Sequence, residues 1–281
     1  MDEQRESKMT ATRVHPSAVL GPQVELGVGV EVGPFCVLSG RVRIGDRTRL
    51  LSHVVVLGDA ELGADNVLHP HAVIGDEPQD IAYRGDERRV RIGSRNVFRE
   101  GATVHRGSQR GDVTTLGDDN YLMQNAHVGH DCRIGNRIII AGGALIAGWA
   151  EIGDGAMISG NCVVHQFVRI GRLALMRGLS RTSRDIPPFC IADRTHVVRA
   201  INVVGLKRAG FSAAAIGALR RAFARLFGAR RNLSLALAEL EAGGELSAEV
   251  RELIKFIRAS KRGVAFGARQ DASVSREDSA F

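Results

Sequence analysis

The sequence predicts a parallel β-helix followed by a helical C-terminal part. Three observations carry that expectation: an apolar period of six, a glycine that keeps step with it, and a change to helical spacing after Pro187-Pro188. Taking every sixth residue from Val14 to Met176 gives 28 positions, of which 25 are apolar. An ordinary composition would fill only about half. The exceptions are Asp80, Asp86 and Arg110, and the next residue is often glycine, as at Gly21, Gly45, Gly75 and Gly153. A hexapeptide period marks a β-helix in which each repeat is one short strand and a turn, and three repeats close a triangular coil.

In chain order, residues 1–12 are polar and charged and read as a flexible leader without the apolar core of a signal peptide. Residues 13–186 form the β-helix. Its phase residues point inward and stack on their equivalents 18 residues away, about 4.8 Å along the axis. Each buried aliphatic contributes roughly 1.5–3 kcal/mol, so a chain with only 5% aromatic residues can hold this shape. The recurrent glycines are expected to serve the corners, where a side chain would clash or φ must be positive. Cys36, Cys132 and Cys162 lie four residues after a phase residue. That second inward position wants small side chains, so they read as packing residues rather than reactive thiols. Residues 75–91 and 105–115 break the period as polar loops, the usual place for binding groups on a rigid scaffold. Residues 187–262 should form a helical C-terminal domain. Ser212 caps a helix to about Phe227 with Ile216, Leu219, Phe223, Leu226 and Phe227 on one face, and amphipathic segments follow at 233–241 and 248–259. Residues 263–281 are small and polar, and are expected to be disordered.

Composition removes several function classes. The formal net charge is +7, with clusters at Arg220-Arg221 and Arg230-Arg231. That suits anionic ligands, but no compact basic module accompanies it, so nucleic acid is not expected. Four cysteines without a Cys-x-x-Cys pair indicate neither a zinc knuckle nor a redox motif. No run of 18 apolar residues exists, so no stable membrane insertion is expected, and the default location is the cytoplasm with reduced thiols.

Against this scaffold, Asn125-Ala126-His127-Val128-Gly129-His130-Asp131-Cys132 stands out. A stacking repeat needs neither of its two histidines nor its carboxylate, which is the first hint of chemistry. Adjacent strand residues point to opposite faces, so His130 and Asp131 can meet only at a coil corner. His15, His53, His69, His71 and His196 read as turn or surface residues.

The hexapeptide scaffold, Pro78-Gln79-Asp80, His105-Arg106-Gly107, Asn125-Ala126-His127, His130-Asp131-Cys132, His165-Gln166-Phe167, and Asn202 with Gly205-Leu206-Lys207-Arg208 together resemble the UDP-N-acetylglucosamine O-acyltransferases that start lipid A synthesis. The resemblance runs from about Val14 to Arg262. It implies an all-β left-handed parallel β-helix with a helical C-terminal domain, a homotrimer, and active sites between subunits; neither handedness nor trimerisation follows from the period. It implies an acyl-carrier protein as donor of a hydroxyacyl thioester, a UDP-sugar as acceptor, and no cofactor or metal. By the same resemblance His130 is the general base, Asp131 orients it, and the Gly148 N–H stabilises the thioester oxyanion. Gln79, Asp80, His105, His127, His165 and Gln166 match sugar-nucleotide positions. Asn202 and Arg208 match uridine and phosphate contacts, and Gly178 matches the acyl-chain ruler.

The chain departs from the family pattern at three places. Ala82 stands where lysine is usual, with Arg84 as a substitute cation; Trp149 stands where histidine is common; Ala209 replaces the second arginine of a pair. These changes leave open a different acceptor, such as a 3-amino sugar acylated to an amide. Two further readings remain: a non-catalytic β-solenoid binding module, and a zinc site across an interface, as in trimeric β-helix carbonic anhydrases.

Overall fold

A computed structural model describes residues 11–85, 88–108, 113–228 and 232–267. Residues 1–10 of the expected leader, Asp86, Arg110, Arg230-Arg231 and the tail from residue 268 lie outside the described residues. From Arg13 to Thr182 the chain climbs in coils of short parallel strands. The strands stack into three ribbons, one joined to another by the eight-residue strands Val37–Ile44 and Val55–Leu62, which run round a corner. The regular register is 18 residues, as in Arg13 opposite Glu31 and His127 opposite Leu145. Two coils are longer. Val67 pairs with Val97, 30 residues on, and Val97 with Tyr121, 24 residues on. The excesses over 18, twelve and then six, are whole multiples of six, so the apolar phase re-emerges unshifted beyond each loop.

The phase residues fill the interior: Leu38, Leu68, Ile74, Phe98, Leu122 and Ile140 are fully buried. The second inward position holds Cys36, Val54, Ala72, Ala126 and Cys132, also fully buried. Burial pushes the Cys132 thiol up to about 12, and its S–H donates to the Ala147 carbonyl at 3.2 Å, so it packs rather than reacts. At the same inward position Asn66, Asn96 and Asn120 form a buried polar ladder, with Asn96 Nδ2 donating to Asn66 Oδ1 at 3.0 Å and Asn120 Oδ1 accepting from the Ile138 N–H at 2.8 Å.

Of the two reasons expected for the corner glycines, lack of space is the commoner one. Left-handed φ falls three residues after the phase position, at Arg47, Asp65, His71, Asp131, Trp149 and Phe167 among others. Among the recurrent glycines after the phase position, Gly75 has positive φ, but Gly45 and Gly153 need only space. A Cβ on Gly45 would lie 2.5 Å from the Gly63 carbonyl carbon, and on Gly153 2.7 Å from the Arg172 nitrogen. Corner φ is instead enforced by hydrogen bonds between coils, such as Arg47 N–H to Val28 O and Trp149 N–H to His130 O at 2.8 and 2.9 Å.

The C-terminal part opens with strands, not helices. The ladder crosses Pro187-Pro188: Ile186 bridges to Ile170, and Cys190–Asp193 lies parallel to Leu175–Met176 and antiparallel to Val197–Ile201. Phe266–Gly267, expected in the disordered tail, pairs with Val197–Val198. Four helices follow or intervene among the described residues: α1 Val203–Arg208, α2 Ala213–Phe227, α3 Leu233–Ala242 and α4 Ala248–Arg258. Ser212 caps α2 by accepting from the Ala215 N–H at 3.1 Å. Of the expected α2 face, Ile216, Leu219, Leu226 and Phe227 are buried and Phe223 is partly buried. Arg172 anchors α4 to the β-helix through Glu252 at 2.8 Å, and Arg169 lies 4.2 Å over the Phe256 ring. No helix among the described residues is long and apolar enough to cross a membrane.

Candidate active site

Asp131 sits at a corner with φ of 59°, and that geometry turns its side chain back toward its neighbour. His130 Nδ1 and Asp131 Oδ2 are 2.7 Å apart, with the Asp131 side chain 1% exposed. An ionised carboxylate only accepts, so in the neutral imidazole the shared proton sits on Nδ1 and a lone pair is left on Nε2. A buried carboxylate needs donors. Ser108 supplies three hydrogen bonds: its N–H reaches Oδ1 at 3.0 Å and Oδ2 at 3.1 Å, and its hydroxyl donates to Oδ2 at 2.7 Å. The Asp131 N–H donates to Thr114 Oγ1 at 2.7 Å. Gly148 lies against the imidazole, where a Cβ would meet His130 Nε2 at 2.7 Å. Among the described residues the Gly148 N–H makes no hydrogen bond.

Two more imidazoles adjoin this pair. His127 Nδ1 is 2.8 Å from Thr103 Oγ1, and its ring meets that of His105 edge-on at 5.2 Å. Burial, and then the neighbouring His105 and His130, push His127 down to about 4, so it is neutral at physiological pH. His105 Nδ1 contacts the Glu77 carbonyl, and Arg106 donates to the Gly75 carbonyl at 3.0 Å and the Tyr83 hydroxyl at 3.0 Å. These contacts dock the first polar loop on the second. On the other side, Trp149 meets His130 edge-on at 4.5 Å and stacks on Phe167 at 4.9 Å. Trp149, Phe167, Asp131 and Arg169 line a cavity of about 550 Å³ that extends to Lys261 and Arg262.

The structure thus brings His105, His127, His130, Asp131 and Gly148 together. The remaining expected residues are peripheral to that centre. Gln79 is exposed, and Asp80 Oδ1 accepts from the Ala82 N–H at 2.9 Å. Arg84, the substitute for the missing lysine, donates into its own loop at the Ile81 and Tyr83 carbonyls. His165 and Gln166 are exposed at the corner carrying Phe167. Asn202 caps α1, its Oδ1 accepting from the Gly205 N–H and its Nδ2 donating to the Leu173 carbonyl at 2.9 Å; Arg208 ends that helix, exposed. Gly178 is exposed, with ordinary φ, and a Cβ there would meet only the Gly160 carbonyl at 3.6 Å. Gly142, Gly160 and Gly178 recur at the same position of successive coils. Beside them run the exposed apolar side chains of Leu145 and Val163, stacked in register with His127. Ser108, Thr114 and Thr103 were not singled out by sequence reasoning; the available signal was that Ser108 lies in a loop that breaks the period.

Known proteins agree with this architecture. The family model described as UDP-N-acetylglucosamine O-acyltransferase, domain 2, matches residues 185–265, and that of the bacterial transferase hexapeptide matches residues 114–148. The acyl-(acyl-carrier-protein)–UDP-N-acetylglucosamine O-acyltransferase of Burkholderia orbicola is 45% identical over 261 residues, covering 90% of this chain and 99% of its own. That of Burkholderia lata is 44% identical over the same length and shares. Among solved structures, the UDP-N-acetylglucosamine acyltransferase of Francisella novicida superposes with a TM-score of 0.87 at 31% identity, covering 96% of this chain and 99% of its own. That of Bacteroides fragilis gives 0.86 at 35% identity, covering 90% and 99%. The coil is therefore a left-handed parallel β-helix carrying a helical C-terminal part. Spanned almost end to end by relatives with this fold and this identity, the chain belongs to the acyl-(acyl-carrier-protein)–UDP-N-acetylglucosamine O-acyltransferase family.

Proposed function

We propose that this chain transfers a 3-hydroxyacyl group from acyl-carrier protein to the 3-hydroxyl of UDP-N-acetylglucosamine, the first acylation of lipid A synthesis. The observation that carries the residue assignment is the His130–Asp131 pair, with Nδ1 committed to the carboxylate and Nε2 facing Gly148. A sugar hydroxyl is a poor nucleophile at neutral pH. In this reading His130 Nε2 takes its proton as the oxygen attacks the thioester carbonyl carbon. The tetrahedral oxyanion accepts a hydrogen bond from the Gly148 N–H. As the C–S bond breaks, the imidazolium returns the proton to the departing sulfur, leaving an ester and a free thiol. His127, neutral, and His105 hold the sugar beside the base, with Gln79, Asp80, His165, Gln166, Asn202 and Arg208 completing the nucleotide site. The acyl chain lies along the Gly142, Gly160 and Gly178 strip, whose apolar border of Leu145 and Val163 suits it.

The assembly in this reading is a homotrimer in the cytoplasm, with each site closed by a neighbouring copy. The exposed apolar side chains of Leu145 and Val163, on the ribbon of His127, and of Leu179, next to Gly178, support this. Purified protein given 3-hydroxyacyl-carrier protein and UDP-N-acetylglucosamine should yield the 3-O-acyl product. His130→Ala should lower kcat by about 10²–10⁴-fold while sedimentation still reports three chains. Undiminished turnover in that variant would remove His130 from the mechanism. Trp149, packed on the base, is the departure nearest the chemistry. Comparing kcat/KM for hydroxyl and 3-amino acceptors decides whether it alters acceptor choice, and the O-acyl reading expects the hydroxyl sugar to be preferred.

A further inference from the structure

We propose that Ser108 is a positioning residue of the transfer reaction: by holding the Asp131 carboxylate it fixes the His130 ring and its tautomer. The rate consequence rests on the acyl-transfer reading above; the tautomer consequence does not. The geometry is specific to the longer coil. Thr103 and His127 stand in register on adjoining coils, and the chain between Val104 and Leu116 departs from that ladder by six extra residues before the period resumes. Ser108, 7% exposed, leaves the ladder there and turns both its N–H and its hydroxyl onto one carboxylate. Where the chain rejoins the ladder, Thr114 takes the Asp131 N–H. Side chain and main chain of the corner are thus held from the two ends of one excursion. Arg88, from the end of the first loop, donates to the Ser108 carbonyl at 3.4 Å and is itself buried. In the regular repeats the strand and corner N–H groups are spent on the neighbouring coil, as at His127, Gly129 and Trp149.

The physical need is plain. Asp131 can orient His130 only while its carboxylate is ionised and does not rotate. Burial disfavours the charge, and three hydrogen bonds from one residue offset that cost and fix the plane. Without the hydroxyl, only one shared N–H of Ser108 still holds the carboxylate, so its plane can rotate and the imidazole bound to it can flip or exchange tautomers.

Two measurements test this with the full-length protein. In steady-state kinetics, Ser108→Ala should lower kcat by about tenfold to a hundredfold, with KM for either substrate little changed. Ser108→Thr, which keeps the hydroxyl, should recover most of the rate. In an Asp131→Ala background the Ser108→Ala change should cost nothing further, because Ser108 acts through that carboxylate. In ¹⁵N-histidine NMR, wild-type His130 should show a protonated Nδ1 and an unprotonated Nε2, and Ser108→Ala a mixture of tautomers. Losses that multiply in the double variant, or a Ser108→Ala protein with wild-type kcat or with an unchanged His130 tautomer, would overturn the proposal. Should the wild-type chain fail to turn over these substrates, the acyl-transfer reading falls, and the tautomer measurement still decides the role of Ser108.

Discussion

Asp131 and Gly148 act on one imidazole from two sides, and each constraint has a distinct consequence. A Cβ at position 148 would sit 2.6 Å from His130 Cε1, so Gly148→Ala must move the ring. Misplacing a catalytic group by about 1 Å costs roughly a hundredfold in rate. We expect that loss in kcat with a near-wild-type melting temperature, as read by a product assay and circular dichroism. His127 gives a prediction about stability. Its folded state binds a proton only near pH 4, whereas an exposed histidine binds one near 6.5. Between those values the unfolded chain holds more protons than the native one, so stability rises with pH through that window and falls as pH drops. Replacing His127 with glutamine, which keeps a polar partner for Thr103, should flatten this slope. Urea midpoints measured from pH 4 to 7 would show it, and an unaltered slope would contradict the burial argument.

At the scale of the repeat, glycines at its two positions do opposite things. Gly153 is wedged against the next coil, and a methyl group there would press on the Arg172 backbone at 2.7 Å. Gly153→Ala should therefore destabilise by about 1–3 kcal/mol, as overpacking does. A Cβ on Gly178 would make only an ordinary contact with the Gly160 carbonyl at 3.6 Å, so Gly178→Met should leave the unfolding midpoint nearly unchanged while shifting donor preference toward shorter acyl chains. Each buried CH₂ contributes about 0.8 kcal/mol, which makes the length profile steep where the groove closes. A Gly178→Met enzyme with the parent profile would exclude it as the ruler. The helices behave more simply. Ser212 caps α2 as its sequence position indicates, and Ser212→Ala should cost about 1 kcal/mol.

For the whole molecule, the net charge of +7 and the basic α2 bear on the donor. Carrier proteins are acidic, and Arg220 and Arg221 are exposed on α2. We expect KM for the carrier protein to rise with salt and with Arg220→Ala/Arg221→Ala, while KM for the sugar nucleotide moves little. A carrier KM indifferent to salt would argue against electrostatic docking. The α4 anchor formed by Arg172 and Glu252 keeps the helical part in place on the β-helix, so these effects should not depend on unfolding of α2.

The sequence by itself determined the coil, the phase of its interior, the packing role of the cysteines and the α2 cap, because each is written in the spacing of neighbouring residues. It also pointed to His130 and Asp131, since a histidine beside a carboxylate in a stacking repeat needs a corner. Only the tertiary structure decided why Gly153 must be small, that the ladder continues past Pro187-Pro188, and that residues 266–267 return to close the sheet. It alone brought Ser108 to Asp131, 23 residues away in sequence, and Glu77 to His105, 28 residues away. Such contacts depend on where an excursion leaves the coil and where it comes back. Local alternation records what faces inward at each step. It holds no record of which coil a loop will fold against, and that choice places the donors that hold the carboxylate.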